Sequence, residues 1–436
     1  MRKIFQSGIA ATALIAATAP GFAADVPVKA ALAKSPAPVF DWTGFYLGAY
    51  AGVGASWLNA YEATPGTPPS EIQHTGFGFT GGLTAGVNFQ FGNWVAGVEG
   101  DIGLLDTGRR MVEWFGSFQY DSRTSRIATL RGRLGYSVGS TLNYITGGSA
   151  WMHVEDILTT PAITSGKSSN RTGFVVGSGI ETMLGGNWSA KAEYLFVDVA
   201  DAFVSSLGTT IHADKHRYHL MKFGANYRFG GKPQPALPAH DWSGIYAGVA
   251  VGTVAAHARG TDPSGTVAGE YPVSDAGFSA GLLAGFNWQV APNFVAGVEG
   301  DFSFLDIDHA STNIASVDVL RIEAGSLATF RGRLGYNTGP ALLYLTGGAA
   351  WVKVRDDWTR LGFASSSKIL SGYTVGGGIE AVLANNWTTR IEYLYVDAGK
   401  GDTLTIANTI QLDHKFHLFR TALTYRFAGG AAAARN

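Results

Sequence analysis

The chain has 436 residues and carries one long internal repeat, which limits the folds that are open to it. Segments of residues 41–229 recur in the same order with an offset of 198 to 200 residues: DWTGFYLG as DWSGIYAG, VAGVEGD and RGRLGY unchanged, LNYITGGSAW as LLYLTGGAAW, NWSAKAEYLFVD as NWTTRIEYLYVD, and YRF unchanged. A period of this size is that of a domain and excludes solenoids, whose repeats have roughly 20 to 50 residues. The sequence therefore predicts two copies of one domain.

Each copy has the pattern of an antiparallel β-structure, because runs rich in β-branched, aromatic and glycine residues alternate with turn residues. In the first copy we predict strands near 44–57, 76–91, 94–105, 125–138, 142–157, 171–184, 188–201 and 215–229. Tight turns near Gly92, Gly139 and Gly185 alternate with long polar connections at 58–75, 106–124, 158–170 and 202–214. An even strand count with alternating short and long connections is typical of an outer-membrane β-barrel. A soluble β-sandwich or lipocalin-like barrel is the less favoured alternative, because these strands are long enough to cross a bilayer.

Successive side chains of a strand point to opposite faces, which tests this interpretation. Val98 and Gly100 share one face, while Glu99 and Asp101 share the other. A charge facing lipid at mid-bilayer costs roughly 2–4 kcal/mol, so we expect such charges to point into the barrel. The predicted interior charge network, which keeps its signs in both copies, is Glu99, Asp101, Arg131, Arg133, Glu181, Lys191, Glu193, Lys222, Arg228, Glu299, Asp301, Arg331, Arg333, Glu380, Arg390, Glu392, Arg420 and Arg426.

The favoured interpretation of this network is structural, since buried charges must be paired and an eight-stranded barrel is filled by its side chains. A charged pore lining is the main alternative, and acid–base catalysis is the least favoured. Trp94, Trp188 and Trp387 follow tight turns and are predicted to form an aromatic girdle at a membrane interface.

Composition and the N-terminus indicate an exported protein. Charged residues make up only 15% of the chain, below the roughly 25% of soluble domains. A formal net charge of −1 argues against nucleic-acid binding. Residues 1–23 combine Arg2 and Lys3, a short apolar run and a small-residue cleavage site, which predicts a signal peptide. There is no cysteine, so the fold needs no disulfide.

The histidines do not predict a metal or haem site. His212, His216 and His219 cluster near the last strand of the first copy, and His414 and His417 repeat part of the pattern. Residues three apart on a strand face opposite sides, so His216 and His219 are poorly placed to share one ion. We predict interface histidines and no cofactor. Because no phosphate loop, nucleophile elbow or zinc spacing is present either, we predict no enzyme activity.

These motifs resemble the outer-membrane β-barrel (porin-family) proteins of alphaproteobacterial type, an OmpA-like group that includes small outer-membrane antigens and hemin-binding surface proteins. The resemblance covers the chain twice and implies eight-stranded barrels with periplasmic termini and four surface loops per copy. The chain departs from this family in holding two copies and in its ends. Phe229 is internal, and a nine-residue tail follows Phe427 where the family has the terminal aromatic residue that the insertion machinery recognises.

We therefore predict an all-β fold of two tandem eight-stranded transmembrane barrels, with one merged sixteen-stranded barrel as the alternative. Separate closure is favoured because each copy has a full charge set and the joint is proline-rich. The predicted division is a signal peptide at 1–23, a linker at 24–40, barrels at 41–229 and 241–427, a linker at 230–240 and a tail at 428–436.

The predicted function is non-enzymatic, contributing to envelope structure and surface interactions in the outer membrane of a Gram-negative bacterium. A diffusion porin and a surface receptor for haem or host molecules are the alternatives. Expected partners are outer-membrane lipids and lipopolysaccharide, the barrel-assembly machinery, periplasmic chaperones and a surface ligand that the sequence does not identify.

Overall fold

A computed structural model describes residues 40–63, 70–112, 119–159, 163–200, 202–206, 209–230, 240–261, 270–312, 319–358, 364–404 and 409–427. The regular elements in these residues are β-strands. The predicted signal peptide, most of the two predicted linkers and the predicted C-terminal tail lie outside this set.

Among the described residues, no helix has the length and apolar character needed to cross a membrane.

Ten strands belong to the first copy: β1 (Gly44–Ala63), β2 (Ser70–Phe91), β3 (Trp94–Leu105), β4 (Arg109–Val112), β5 (Gln119–Val138), β6 (Thr141–Thr159), β7 (Thr164–Gly185), β8 (Trp188–Val199), β9 (Ala202–Ser206) and β10 (Thr209–Phe229). Eight belong to the second copy: β11 (Gly244–Thr261), β12 (Glu270–Ala291), β13 (Phe294–Thr312), β14 (Val319–Asn337), β15 (Ala341–Trp358), β16 (Ala364–Ala384), β17 (Trp387–Leu404) and β18 (Thr409–Arg426).

Each copy closes on itself. In the first, eight long strands pair in the order β1-β2-β3-β5-β6-β7-β8-β10, and β10 returns to pair with β1, beginning with Phe229 opposite Phe45. The second is a closed barrel from β11 to β18, whose ends meet where Arg426 lies opposite Tyr246. The prediction of two eight-stranded barrels is confirmed. The merged sixteen-stranded barrel is wrong, because β10 pairs with β1 and not with β11.

Two short strands complete the first barrel. β4 pairs with β5, and β9 pairs with β10. In the second copy, the single strands β13 and β17 extend over the corresponding positions. β3 with β4, and β8 with β9, are therefore interrupted versions of one long strand.

The long polar connections predicted in the first copy are shorter in the structure, because strands extend into them. β1 continues to Ala63, β5 begins at Gln119 and β7 at Thr164, whereas β8 stops at Val199, two residues before its predicted end. The added residues of β5 and β7 are mostly polar, so they lack the alternation that marks a strand with one buried side.

The two ends of each barrel differ. One end has the tight turns and is called the turn end, and the opposite end is called the loop end. Gly92 and Gly139 turn the chain at φ of 62° and 59°, in the left-handed region that favours glycine. At this end Trp94 packs edge-on against Tyr136 and Trp188 against Tyr227, with ring centroids 5.3 and 5.2 Å apart. Both tryptophans are exposed on the outer surface, as the predicted girdle requires.

Candidate functional site

The interior of the first barrel contains a layer of ion pairs centred on Arg131. Its guanidinium Nη2 lies 2.6 Å from Glu99 Oε1 and 2.8 Å from Asp101 Oδ2, and Nη1 lies 2.8 Å from Glu193 Oε1. Lys222 Nζ donates to Asp101 Oδ1 at 2.8 Å. Glu99 and Arg131 are neighbours across β3 and β5, whereas Glu193 reaches Arg131 from β8. One arginine therefore links carboxylates from separate parts of the wall.

A second set of pairs joins the same layer. Arg133 Nη1 lies 3.0 Å from Glu181 Oε2 and 3.5 Å from Glu99 Oε2, and Lys191 Nζ lies 2.9 Å from both oxygens of Glu99. These four side chains are buried. Their mutual pairing offsets the desolvation of the charges, which would be heavily penalised without partners.

The second barrel repeats this layer with the same signs. Arg331 pairs with Glu299 at 2.5 Å, with Asp301 at 2.8 Å and with Glu392 at 3.1 Å. Arg420 bridges the last two, at 3.0 Å from Asp301 and 2.5 Å from Glu392. In the second barrel too, arginines therefore pair with carboxylates from separate strands across the interior.

The copies differ in the type of cation. Arg333 pairs with Glu380, and Arg390 Nη1 lies 2.7 Å from Glu299 Oε2. Both lysines of the first layer are replaced in the second, Lys191 by Arg390 and Lys222 by Arg420. A guanidinium can reach two carboxylates in fixed geometry, as Arg420 does with Asp301 and Glu392, whereas Arg390 forms its ion pair with Glu299.

Two of the predicted charges lie apart from these layers. Arg228 Nη2 donates to the carbonyl oxygens of Asp41 and Thr43, and its guanidinium carbon lies 5.6 Å from the ring centre of Trp42. Arg426 does the same with Asp241, Ser243 and Trp242 in the second copy. The structure thus places both arginines at the turn end, where they hold the segment that precedes the first strand.

We call this arrangement the turn-end cap, formed by Trp42 with Arg228 and by Trp242 with Arg426. Trp42 is fully buried, and its Nε1 donates to Ser137 Oγ at 3.0 Å. In the second copy, the Ser243 backbone N–H donates to Asp241 Oδ1 at 2.8 Å, which lowers the pKa of that carboxyl. This role was not predicted, although the repeated DWTG and DWSG motifs mark the two segments.

Interior tyrosines were also missed. Tyr46 Oη donates to Glu99 Oε2 at 2.7 Å, and Tyr144 Oη donates to Glu193 Oε1 at 3.0 Å. The Arg133 guanidinium lies over both rings, at 4.7 and 5.3 Å from their centres. Because tyrosine suits both a lipid-facing and an inward position, residue type alone did not predict these contacts.

An apolar layer fills each barrel on the loop side of the ion pairs. In the first barrel it consists of Leu105, Ile127, Ala150, Met152, Val154, Val175, Leu195, Val197, Val199, Tyr218 and Leu220. Each of these is at most 3% exposed. The second barrel has a corresponding cluster that includes Leu305, Val352 and Leu394. An ion would have to shed its water to cross this layer, which costs several kcal/mol or more.

On the loop side of the apolar layer, each barrel has a buried aspartate, and its partners differ between the two copies. Asp156 is bonded by Arg171 and by Tyr120 Oη at 2.8 Å. Its counterpart Asp356 lies 3.1 Å from Lys368 Nζ and 3.6 Å from His414 Nε2. Neither aspartate belongs to the predicted charge network, because both lie near the predicted loops.

The histidines of β10 and β18 lie on both faces of these strands. His219 and His417 point outward, and the Nδ1 atom of each lies 2.7 Å from a tyrosine hydroxyl. His414 points inward to Asp356, and His216 occupies the corresponding inward position. The prediction that His216 and His219 lie on opposite faces is confirmed. No group of three or more His, Asp or Glu side chains suited to a metal occurs in the described part of the chain.

The family model and the sequence relatives agree with this architecture. The model of the outer membrane protein beta-barrel domain matches residues 9–229 and again 231–427. The chain is 32% identical over 201 residues to a 31 kDa outer-membrane immunogenic protein of Brucella melitensis, covering 43% of this chain and 84% of that protein. It is 38% identical over 165 residues to a 22 kDa outer membrane protein of Rhizobium leguminosarum, covering 37% and 67%. Neisserial surface protein A aligns with a TM-score of 0.26 at 18% identity, over 41% of this chain and 97% of that one.

Proposed function

Because the chain belongs to the outer membrane protein β-barrel family and is an outer-membrane protein, we propose that it is a non-enzymatic, non-conducting protein that contributes to envelope structure and surface interactions. The observation that carries this proposal is the filled interior. The turn-end cap, the ion-pair layer and the apolar layer follow one another along each barrel, and their side chains are almost all buried.

The ion-pair layer supports a structural role for the charges. Carboxylates that would attract cations are already engaged by arginine and lysine, as in the contacts of Glu99 with Arg131 and Lys191. A conducting pore needs charges that face water, whereas Glu99 and Arg131 are about 1% exposed. Within the ion-pair layers, the described carboxylates are buried and paired with cations, which argues against acid–base work by these groups.

Strand length supports the surface role. A membrane-crossing strand needs roughly 9–11 residues. β2 and β7 each have 22 residues and begin or end at the turn-end girdle. The excess therefore projects from the loop end, which the family topology directs away from the periplasm. The projecting parts of the strands therefore form the surface that is available to bind external molecules.

Conductance of the purified full chain in planar bilayers tests the non-conducting part of the proposal. We expect no stable openings, because each barrel has an apolar layer across its interior. Steady steps on the nanosiemens scale would contradict it and favour the diffusion porin. A known trimeric porin, inserted under the same conditions, provides the positive control.

Haem reception has less support in the described residues. The four histidines that would serve as ligands divide between the outer and inner faces, and His219 and His417 are hydrogen-bonded to tyrosines. A hemin titration with a quadruple alanine variant of His216, His219, His414 and His417 checks this. Hemin affinity that falls only in the variant would revive the receptor hypothesis.

For assembly, we propose that the barrel-assembly machinery and periplasmic chaperones handle both copies. Phe229 and Phe427 lie at the turn ends of the closing strands, where the family has its terminal aromatic residue.

A further inference from the structure

The outer surfaces of the two barrels contact each other along a seam. The seam is formed by Phe77, Tyr194 and His219 of the first barrel and by Thr253, His417 and Phe419 of the second. The rings of Phe77 and His417 stack with centroids 3.9 Å apart, and Tyr194 Oη lies 3.4 Å from Thr253 Oγ1.

Strands in similar positions of the two copies meet in this seam: β2 contacts β12 and also β11 and β13, and β7 and β8 both contact β16 and β17. Strands of a barrel are tilted, so one line along the wall crosses β7 and β8 near the turn end and β2 nearer the loop end. The seam therefore approximates an isologous interface between two parallel barrels, although β2 also contacts β11 and β13.

The seam ends in a cleft where the outer surface changes from apolar to charged. Along β18 the outward side chains pass from Tyr425 and Leu423 to His417 and then to Lys415. His417 is eight residues from Tyr425. At about 3.4 Å per residue and a tilt near 40°, this places His417 about 21 Å above the girdle. The apolar band of such barrels is about 25 Å tall, so His417 lies just inside its far edge. Lys415, two residues further along β18, lies about 26 Å above the girdle, at the headgroup level of the far leaflet.

The cleft encloses about 360 Å³ and is lined by residues of both barrels. Phe77 and His417 lie where it meets the seam, and Arg259, Lys415 and Asp413 line its charged part. Lys415 Nζ lies 3.2 Å from Asp413 Oδ2. Among the described residues that line the cleft, the polar groups are two permanent cations, one carboxylate and the imidazoles of His257 and His417. Guanidinium and ammonium groups only donate hydrogen bonds.

The corresponding face of the first barrel lacks this arrangement. Trp57 stands where the second copy has His257, and the Arg217 guanidinium carbon lies 5.5 Å from the Trp57 ring centre. Arg217 Nε also donates to Asp198 at 3.1 Å. The tryptophan and an ion pair occupy this surface of the first barrel, so the first barrel does not offer the same charged cleft.

We propose that the cleft binds a phosphate group carried by an anionic lipid, with Arg259 and Lys415 as its donors and the acyl chains lying against the apolar seam. Arginine and lysine are the usual partners of phosphate. The cleft suits an amphiphile because it has a charged part and an apolar part. The charged part lies on the loop side of the stacked Phe77 and His417 rings, and the apolar part joins the seam at the level of the bilayer.

Native mass spectrometry of the full chain in mild detergent tests this site. After lipid removal, phosphatidylglycerol, phosphatidylcholine with the same chains, or inorganic phosphate alone is added. We expect a phosphatidylglycerol adduct whose occupancy falls roughly tenfold in Arg259→Gln/Lys415→Gln, because two charge-assisted contacts are lost. Arg259→Lys/Lys415→Arg should keep most of the binding.

The matched control is Arg126→Gln/Lys353→Gln, which removes two exposed cations from β5 and β15, away from the cleft. The control should bind phosphatidylglycerol like the unaltered chain. Equal occupancy in the cleft variant and the control would overturn the proposal. Equal binding of phosphatidylcholine would reject recognition of an anion, and displacement by inorganic phosphate without any lipid preference would reject the lipid as its source. Folding of each variant is checked by its heat-dependent shift on a gel.

Discussion

Arg131 shows how one side chain organises the interior of a barrel. It contacts carboxylates of β3 and β8. Its Nε also donates a hydrogen bond to Thr129 Oγ1 at 3.0 Å, which helps to fix the position of the guanidinium. Because Arg131 is buried, its removal leaves three carboxylates with fewer partners in a poorly solvated interior. The cost of such a change arises from the unpaired charges more than from the lost attraction.

Replacement of Arg131 by Met should therefore lower the free energy of unfolding by about 3–5 kcal/mol. Urea-induced unfolding of the chain from lipid vesicles, followed by tryptophan fluorescence, measures this change. Arg126→Met on the same strand is the control, since Arg126 is exposed and should cost less than about 1 kcal/mol. Similar losses in both variants would contradict a structural ion-pair layer.

At the scale of elements, the segment before each first strand is as much part of the barrel as the strands are. Gln90 Oε1 accepts from the Trp42 backbone N–H at 2.6 Å, and Gln289 Oε1 accepts from that of Trp242 at 3.2 Å. Side chains of β2 and β12 thus position the two tryptophans. The segment closes the turn end without adding a strand.

Trp42→Ala should destabilise the first barrel by about 3–5 kcal/mol, because it leaves a large cavity and an arginine without its ring partner. Thermal unfolding in detergent, read as the temperature at which the folded gel band disappears, checks the direction. Trp151→Ala is the matched control, because Trp151 faces outward and is 42% exposed. If Trp151→Ala lowered this temperature as much as Trp42→Ala, a specific capping role would be refuted.

For the whole molecule, closure of each barrel and the seam between them make two separate contributions. Closure depends on the β1–β10 and β11–β18 pairings, whereas association of the barrels depends on outward contacts such as Phe77 with His417. The covalent connection is therefore not the sole link between the two halves.

A protease site placed within residues 231–239 separates these contributions. After cleavage of the folded chain, we expect the halves to co-elute in mild detergent, because the seam buries outward apolar groups such as Met221 and Phe419. Phe77→Ala/Phe419→Ala should weaken this association, whereas Phe79→Ala/Phe278→Ala, on exposed outward positions, should not. Halves that elute apart without any substitution would show that the seam does not hold them.

Sequence periodicity was informative where one face of a strand is apolar. It placed Glu99 and Arg131 on the same face, and the structure has them 2.6 Å apart. Alternation assigns a face but no height or distance across the interior, so it did not predict the contact of Arg131 with Glu193. For the same reason it grouped Arg228 with the ion pairs, although Arg228 lies at the turn-end cap.

The self-contained closure of each barrel has a consequence for gene architecture. Phe45 lies beside Phe229, and Tyr246 lies beside Arg426, so each barrel starts and finishes at its turn end. Among the described residues neither barrel lends a strand to the other, so we expect each barrel to close whichever half is translated first. A protein made from a transposed gene, in which the second half is translated first, should fold into the same two barrels.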